Sequence, residues 1–233
     1  MLAADHSHRV DMFKLDAEEA APICQRTLTF MLSLTATQGR TGSDFRTAVG
    51  DFSADAVHLI RDDIAGPPLS DIFNKGRLAG ITQPQMERVR VQTAAETPTS
   101  LGATLIRDCL VQFALATEGR IIADMTFVSR EDVDALQALM QSAFDPAEEL
   151  AADSMDQMMF QALISLHAAI SFHLIAAARP LPRMLNFQFA QSLPTLVAAY
   201  RLYADAGRAD ELRAENKNVH PAFLLPYGRA LSN

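Results

Sequence analysis

The sequence predicts a mainly α-helical body, a bundle or array, followed by a small α+β module. Up to Ala178, apolar residues recur at three- and four-residue intervals between Gly and Pro breaks, which is the period of helices with one buried face. At Arg179-Pro-Leu-Pro182 the pattern changes, because a residue before proline is pushed out of the helical region. Beyond it, Met184, Asn186 and Gln188 alternate with Leu185, Phe187 and Phe189, a period of two that marks a strand. The chain therefore divides into a helical domain, residues 1–178, and a C-terminal module, residues 179–233, with the order strand, helix, helix, strand.

The first helix begins near Leu15, with Ile23, Leu28, Met31, Leu32 and Leu34 as its apolar positions, and Gln38-Gly39 ends it. Asp16, Glu18 and Glu19 occupy its first turn, where acids suit the helix dipole. A second helix fits 43–64, with Phe45, Val49, Phe52, Ala56, Leu59 and Ile60 on one face and Ser43 as N-cap. Gly66-Pro67-Pro68 breaks the chain. A short helix is expected over 69–75 and another over 84–95, the latter with Pro84 in its first turn.

Thr97-Pro98-Thr99-Ser100 breaks the chain again and caps a long helix from 101 to about 127. Its residues Leu105, Ile106, Cys109, Leu110, Phe113, Leu115, Ile121, Ile122 and Met125 spread over more than one face, so it should be central. Ser129-Arg-Glu-Asp132 reads as a capping box opening a helix with Val133, Leu136, Leu139, Met140 and Phe144. Asp145-Pro146 is expected to restart the chain, and the next helix runs to about 178 on a stripe of Met155, Met159, Leu163, Leu166, Ile170 and Leu174. That makes about six helices in the body. In the module, a helix over 193–203 and a short one over 209–215 precede an extended segment, 223–231, containing Pro226 and Gly228.

With 233 residues, the chain has room for one medium domain or a domain with a small appendage. A hydrophobic fraction of 49% with 21% charged residues is that of an ordinary globular protein. The net charge of -8, without any run of basic residues, disfavours nucleic acid as a partner, since phosphate neutralisation needs clustered Lys and Arg. Cys24 and Cys109 lie in apolar helical patterns without CxxC spacing and read as buried thiols. The N-terminus lacks the basic-then-apolar layout of a secretory signal. The apolar run 162–178 is interrupted by Ser165, His167, Ser171 and His173. It is therefore expected to fall short of a membrane span, and the protein is expected to be soluble with no membrane partner.

No catalytic constellation is legible. No Ser sits in a G-x-S-x-G elbow, neither Cys has a neighbouring His, and Gly39-Arg-Thr-Gly42 is too short to cradle phosphate. Asp62-Asp63 and Glu148-Glu149 are adjacent pairs pointing to different helix faces and read as solvated surface. His6 and His8 with Asp5 and Asp11 read as a solvated terminus rather than a metal site. His167 and His173 are six residues apart on one helix and cannot share a metal, while His58 and His220 are isolated. The expectation is no enzyme activity, no metal and no cofactor.

Several stretches carry a family resemblance. Ala178-Arg-Pro-Leu-Pro182, Leu193-Pro-Thr-Leu-Val-Ala-Ala-Tyr-Arg-Leu-Tyr203, Asp205, Arg208-Ala-Asp-Glu-Leu212, Asn216 and His220-Pro-Ala-Phe223 closely resemble the C-terminal half of Mu-type phage DNA circularisation proteins, which are virion tail or baseplate components. Phe127-Val-Ser-Arg-Glu-Asp132, with Phe144-Asp145, resembles the helical middle of that family. The resemblance covers roughly 127–233. Members usually begin with a separate N-terminal domain that has no counterpart here, so the expectation is a relative that keeps the structural part.

The same tail resembles a LysM module of βααβ order, with Tyr203, Asp205, Asn216, Pro226, Gly228 and Leu231 at matching places. Gln191-Ser192-Leu193 stands where such modules usually open with Gly-Asp-Thr.

These resemblances imply a structural virion protein of a contractile phage tail, at the baseplate hub or close to the tail tube. It would be made in the host cytoplasm and would work through interfaces with other tail and baseplate proteins in a homo-oligomeric ring. Met155, Met158, Met159, Phe223, Leu224, Pro226 and Tyr227 are the candidate interface residues. Two alternatives remain: a LysM-type peptidoglycan-binding module using Tyr203, Asp205 and Asn216, and a DNA-binding, genome-circularising protein delivered with the DNA.

Overall fold

The computed structural model describes residues 14–35, 38–153 and 157–232. Among them are nine α-helices and one two-stranded antiparallel sheet, so the fold is mainly helical with a small α/β portion near the C-terminus. By its contacts the chain forms two compact units. One takes residues up to Met125 together with Ala143–Leu166, and the other takes Thr126–Ser142 and the residues from His167 onward.

In the first unit, α1 (Lys14–Leu34) packs on α2 (Gly39–Arg61), α4 (Gln83–Ala94) and α5 (Leu101–Ala123), and α3 (Gly66–Leu78) packs on α2 and α5. Ala17, Ala20, Ala21, Cys24, Leu28 and Met31 form the buried face of α1 at helical spacing. They meet Phe45, Phe52, Leu69, Phe73, Met86 and Leu110 in one hydrophobic core. Gly76 lies where α3 crosses this core, and a Cβ there would displace the end of the Met31 side chain. Ser100 caps α5, its hydroxyl accepting from the Ala103 N–H at 3.2 Å, and Thr82 with Gln85 forms a capping box on α4.

Several boundaries differ from the sequence reading, and three of them turn on identifiable residues. The second helix starts at Gly39 instead of 43, with Gln38 in extended backbone as its N-cap, so Ser43 is an exposed residue inside the helix. Pro67 and Pro68 lie in the first turn of α3, where their missing N–H groups have no intrahelical partner to lose, so they begin the helix and do not precede it. Pro146 lies inside α6 (Arg130–Asp153), which continues past it. Buried Ala143, Phe144 and Ala151 on either side hold that helix in place despite the lost hydrogen bond.

The last long helix, α7, is Gln157–Ala178 and carries no charged residue. By length and composition it is long and apolar enough to cross a membrane, which its Ser and His interruptions were expected to prevent. Few of its residues are buried; Leu163, Ile170 and Leu174 are.

In the second unit, β1 (Met184–Gln188) pairs antiparallel with β2 (Tyr227–Leu231), in a register that sets Asn186 opposite Arg229 and Phe187 opposite Gly228. Between the strands come α8 (Thr195–Tyr203), a single 3-10 turn at Ala206–Arg208, and α9 (Ala209–Glu215). Phe187, Leu193, Ala198, Ala199, Leu212, Leu224 and Ala230 close a small core. Leu193 and Leu224 form an additional antiparallel bridge, and Thr195 donates from both N–H and Oγ1 to the Pro221 carbonyl at 2.7 and 2.9 Å. The Ser129–Asp132 capping box forms as read: Ser129 Oγ accepts from the Asp132 N–H at 3.2 Å and donates to Asp132 Oδ2 at 2.7 Å. In the same unit Glu131 Oε2 accepts from the Met184 N–H at 2.7 Å.

Candidate functional site

The three residues proposed for glycan contact all lie in the C-terminal unit, and each makes local contacts there. Tyr203 ends α8 with its ring beneath the Arg208 guanidinium, 3.8 Å from the ring centroid, a cation–π contact. Arg208 is itself held by two bonds to Glu211, at 3.1 and 2.6 Å. The Tyr203 hydroxyl is buried, and burial first, with the negative charge of Glu211 second, raises its pKa above the usual phenol value.

Asp205 follows Ala204, a left-handed residue at φ 56° that closes α8. Its Oδ1 accepts from the Gly207 N–H at 2.7 Å, so the carboxylate caps the 3-10 turn.

Asn216 holds the two halves of the module together. Its Nδ2 donates to the Leu212 and Arg229 carbonyls, both at 2.8 Å, and its Oδ1 accepts from the Arg229 N–H at 2.8 Å. The carboxamide thus takes the place of a neighbouring strand along β2. Gly228 is required beside it, since a Cβ there would run into the Asn216 carboxamide and the Phe187 ring.

The candidate interface residues are placed unequally. Met158 and Phe223 are strongly exposed, at 76% and 68%, Tyr227 is exposed, and Met159 and Pro226 are half-buried. Leu224 does not face solvent: at 1% exposure it is a core residue of the module, drawn in by its bridge to Leu193. Met155 lies outside the described residues, as do His6, His8, Asp5 and Asp11. Tyr227 lines a depression of about 460 Å³ on the sheet with Asn186, Gln188 and Arg229.

The first unit contains a polar cluster that the sequence reading missed. Glu118 is fully buried, 2.9 Å from Arg90 Nε and 3.5 Å from Gln83 Nε2. Burial pushes its carboxyl pKa upward despite the facing Arg90. Its signal was present, because 110, 114, 118 and 122 are successive buried positions on α5. Above this pair, Arg90, Arg107, Asp108 and the α6 residues Ala143, Pro146 and Leu150 line a cavity of about 200 Å³. Arg107 is paired with Asp108 at 2.7 Å, so both guanidinium groups at the cavity are matched by carboxylates.

Burial pushes the Cys24 thiol up to about 12 and the Cys109 thiol to about 11, so both are protonated at neutral pH and poor nucleophiles. Among the described residues no group of three or more His, Cys, Asp or Glu side chains is placed to hold a metal ion.

The class the structure defines is a mainly helical protein with a small two-stranded antiparallel sheet. No protein-family model matches the chain, and a search of curated proteins returns no match.

Proposed function

We propose that this chain is a non-enzymatic structural protein of a contractile phage tail, at or near the baseplate hub, acting through protein–protein interfaces. The resemblance of residues 127–233 to Mu-type DNA circularisation proteins motivates the reading. The observation that carries it is the contrast within the C-terminal unit, where Tyr203, Asp205 and Asn216 make contacts within the module while Phe223 and Tyr227 are left on its surface. Exposed apolar and aromatic side chains of that kind suit burial against a protein partner.

The β1–α8–α9–β2 portion is, in this reading, a LysM-like connector that has kept the order of the module and put its polar residues to structural use. Its strand order, antiparallel pairing and interior Asn216 clamp are compatible with that descent. Titration calorimetry with chitin oligomers and muropeptide fragments should give flat heats. Saturable heats that disappear with Tyr203→Ala would restore the glycan-binding reading.

The tail assignment is tested by deleting the gene from a phage or tail-like particle that encodes this chain. Deletion should stop assembly of an infective tail, and particles that assemble and infect normally without the chain would overturn the proposal. DNA contact is opposed by the net charge of -8. A gel shift that weakens steeply with salt would argue for it.

A further inference from the structure

We infer that α7 pairs antiparallel with α7 of a second copy of this chain. The inference builds on the interface reading above and gives that interface one defined partner. Among the described helices α7 alone has no charged residue. Met158, Ala162, Ser165, Ala169, Phe172 and Ala176 are all exposed on it, with Met158 at 76% and Phe172 at 74%. Their spacing is four, three, four, three, four, the repeat that keeps one seam facing a neighbouring helix.

The composition of the seam selects both the partner and the direction. The six positions are symmetric about residue 167: 158 answers 176, 162 answers 172, and 165 answers 169. An antiparallel pair of identical helices therefore sets Met158 against Ala176, Ala162 against Phe172, and Ser165 against Ala169. Each large side chain meets a small one, which is how facing helices interdigitate without voids. A parallel pair would set Phe172 against Phe172 and Ala169 against Ala169, crowding one layer and leaving the next empty.

Charge points the same way. In the sequence the nearest charged residue before the helix is Asp156 and the nearest after it is Arg179. An antiparallel pair brings the acidic end of each copy to the basic end of the other and opposes the two helix dipoles, whereas a parallel pair puts like ends together. With a net charge of -8 per chain, an uncharged seam is also where two copies can approach with least repulsion. Such an isologous contact closes on itself as a two-fold dimer.

Sedimentation velocity on the full chain tests the pairing. The wild type should sediment as a dimer at about 100 µM, and Ala169→Glu should weaken association by roughly a hundredfold while leaving the circular dichroism spectrum and melting curve unchanged. Cysteine pairing tests the direction: oxidising a mixture of Ser165→Cys and Ala169→Cys chains should give a crosslinked dimer, and oxidising either alone should not. A monomeric wild type, a dimer indifferent to Ala169→Glu, or self-crosslinking of Ser165→Cys alone would overturn the inference. So would flotation of the wild type with phosphatidylcholine vesicles that Ala169→Glu abolishes, because the seam would then be a lipid surface. A monomer that still enters tail particles would remove the self-pairing and leave the tail reading intact. A dimer absent from such particles would do the reverse.

Discussion

Asn216 contributes to the C-terminal unit through three hydrogen bonds from one side chain, two of them to the backbone of Arg229. Asn216→Ala should cost about 2 kcal/mol in chemical denaturation, as Arg229 loses its partners. Gly228→Ala should cost about 1–3 kcal/mol, because the Phe187 ring and the Asn216 carboxamide must both move. Glu19 is a second residue with a disproportionate role. Its carboxylate accepts from the Thr99 N–H at 2.7 Å, the Ser100 N–H at 2.9 Å and the Thr99 hydroxyl at 2.9 Å, and these bonds hold its pKa at about 2 against an ordinary 4.5. A lowered carboxylate pKa stabilises the fold above about pH 4.5, and that contribution is lost as the pH falls through about 2. Glu19→Gln should therefore lower the melting temperature at pH 7 and flatten its fall between pH 4.5 and 2. A variant with an unchanged acid limb would show that these bonds do not hold in solution. Neither residue's part was legible beforehand, since Glu19 meets Thr99 80 positions away and Asn216 meets Arg229 13 positions away. Local pattern carries no record of such pairings.

Helices and strands were legible where the signal is local. The alternation at Met184 to Gln188 became β1, and the segment read as helical over 209–215 is α9. The Ser129–Asp132 box opens α6 as its residues imply, and Ser129 is fully buried there. Ser129→Ala should cost about 1 kcal/mol, measured by urea denaturation, through loss of the cap. An unchanged midpoint would mean that water or Glu131 replaces it. Proline misled the boundary reading at Pro67 and Pro146 because its effect depends on position within the helix, and flanking buried residues decide that position. At Pro146 they are Phe144 and Ala151. The spacing of α7 predicted a helix, but only the structure separates its buried stripe, Leu163, Ile170 and Leu174, from the exposed seam beside it.

At the scale of the molecule, composition pointed to a folded, acidic chain and apolar periodicity to a mainly helical one, and the helical class with a small sheet is what the structure contains. The role proposed for it rests on the tail residues and on surfaces suited to protein contact. The central claim is that the chain is built into a contractile tail near its baseplate. Immunogold electron microscopy of purified particles, with antibody raised against the full chain, addresses it most directly. The account predicts label at the baseplate end of the tail, lost in particles made without the gene. Label confined to the capsid, or purified particles that contain none of the chain, would contradict it.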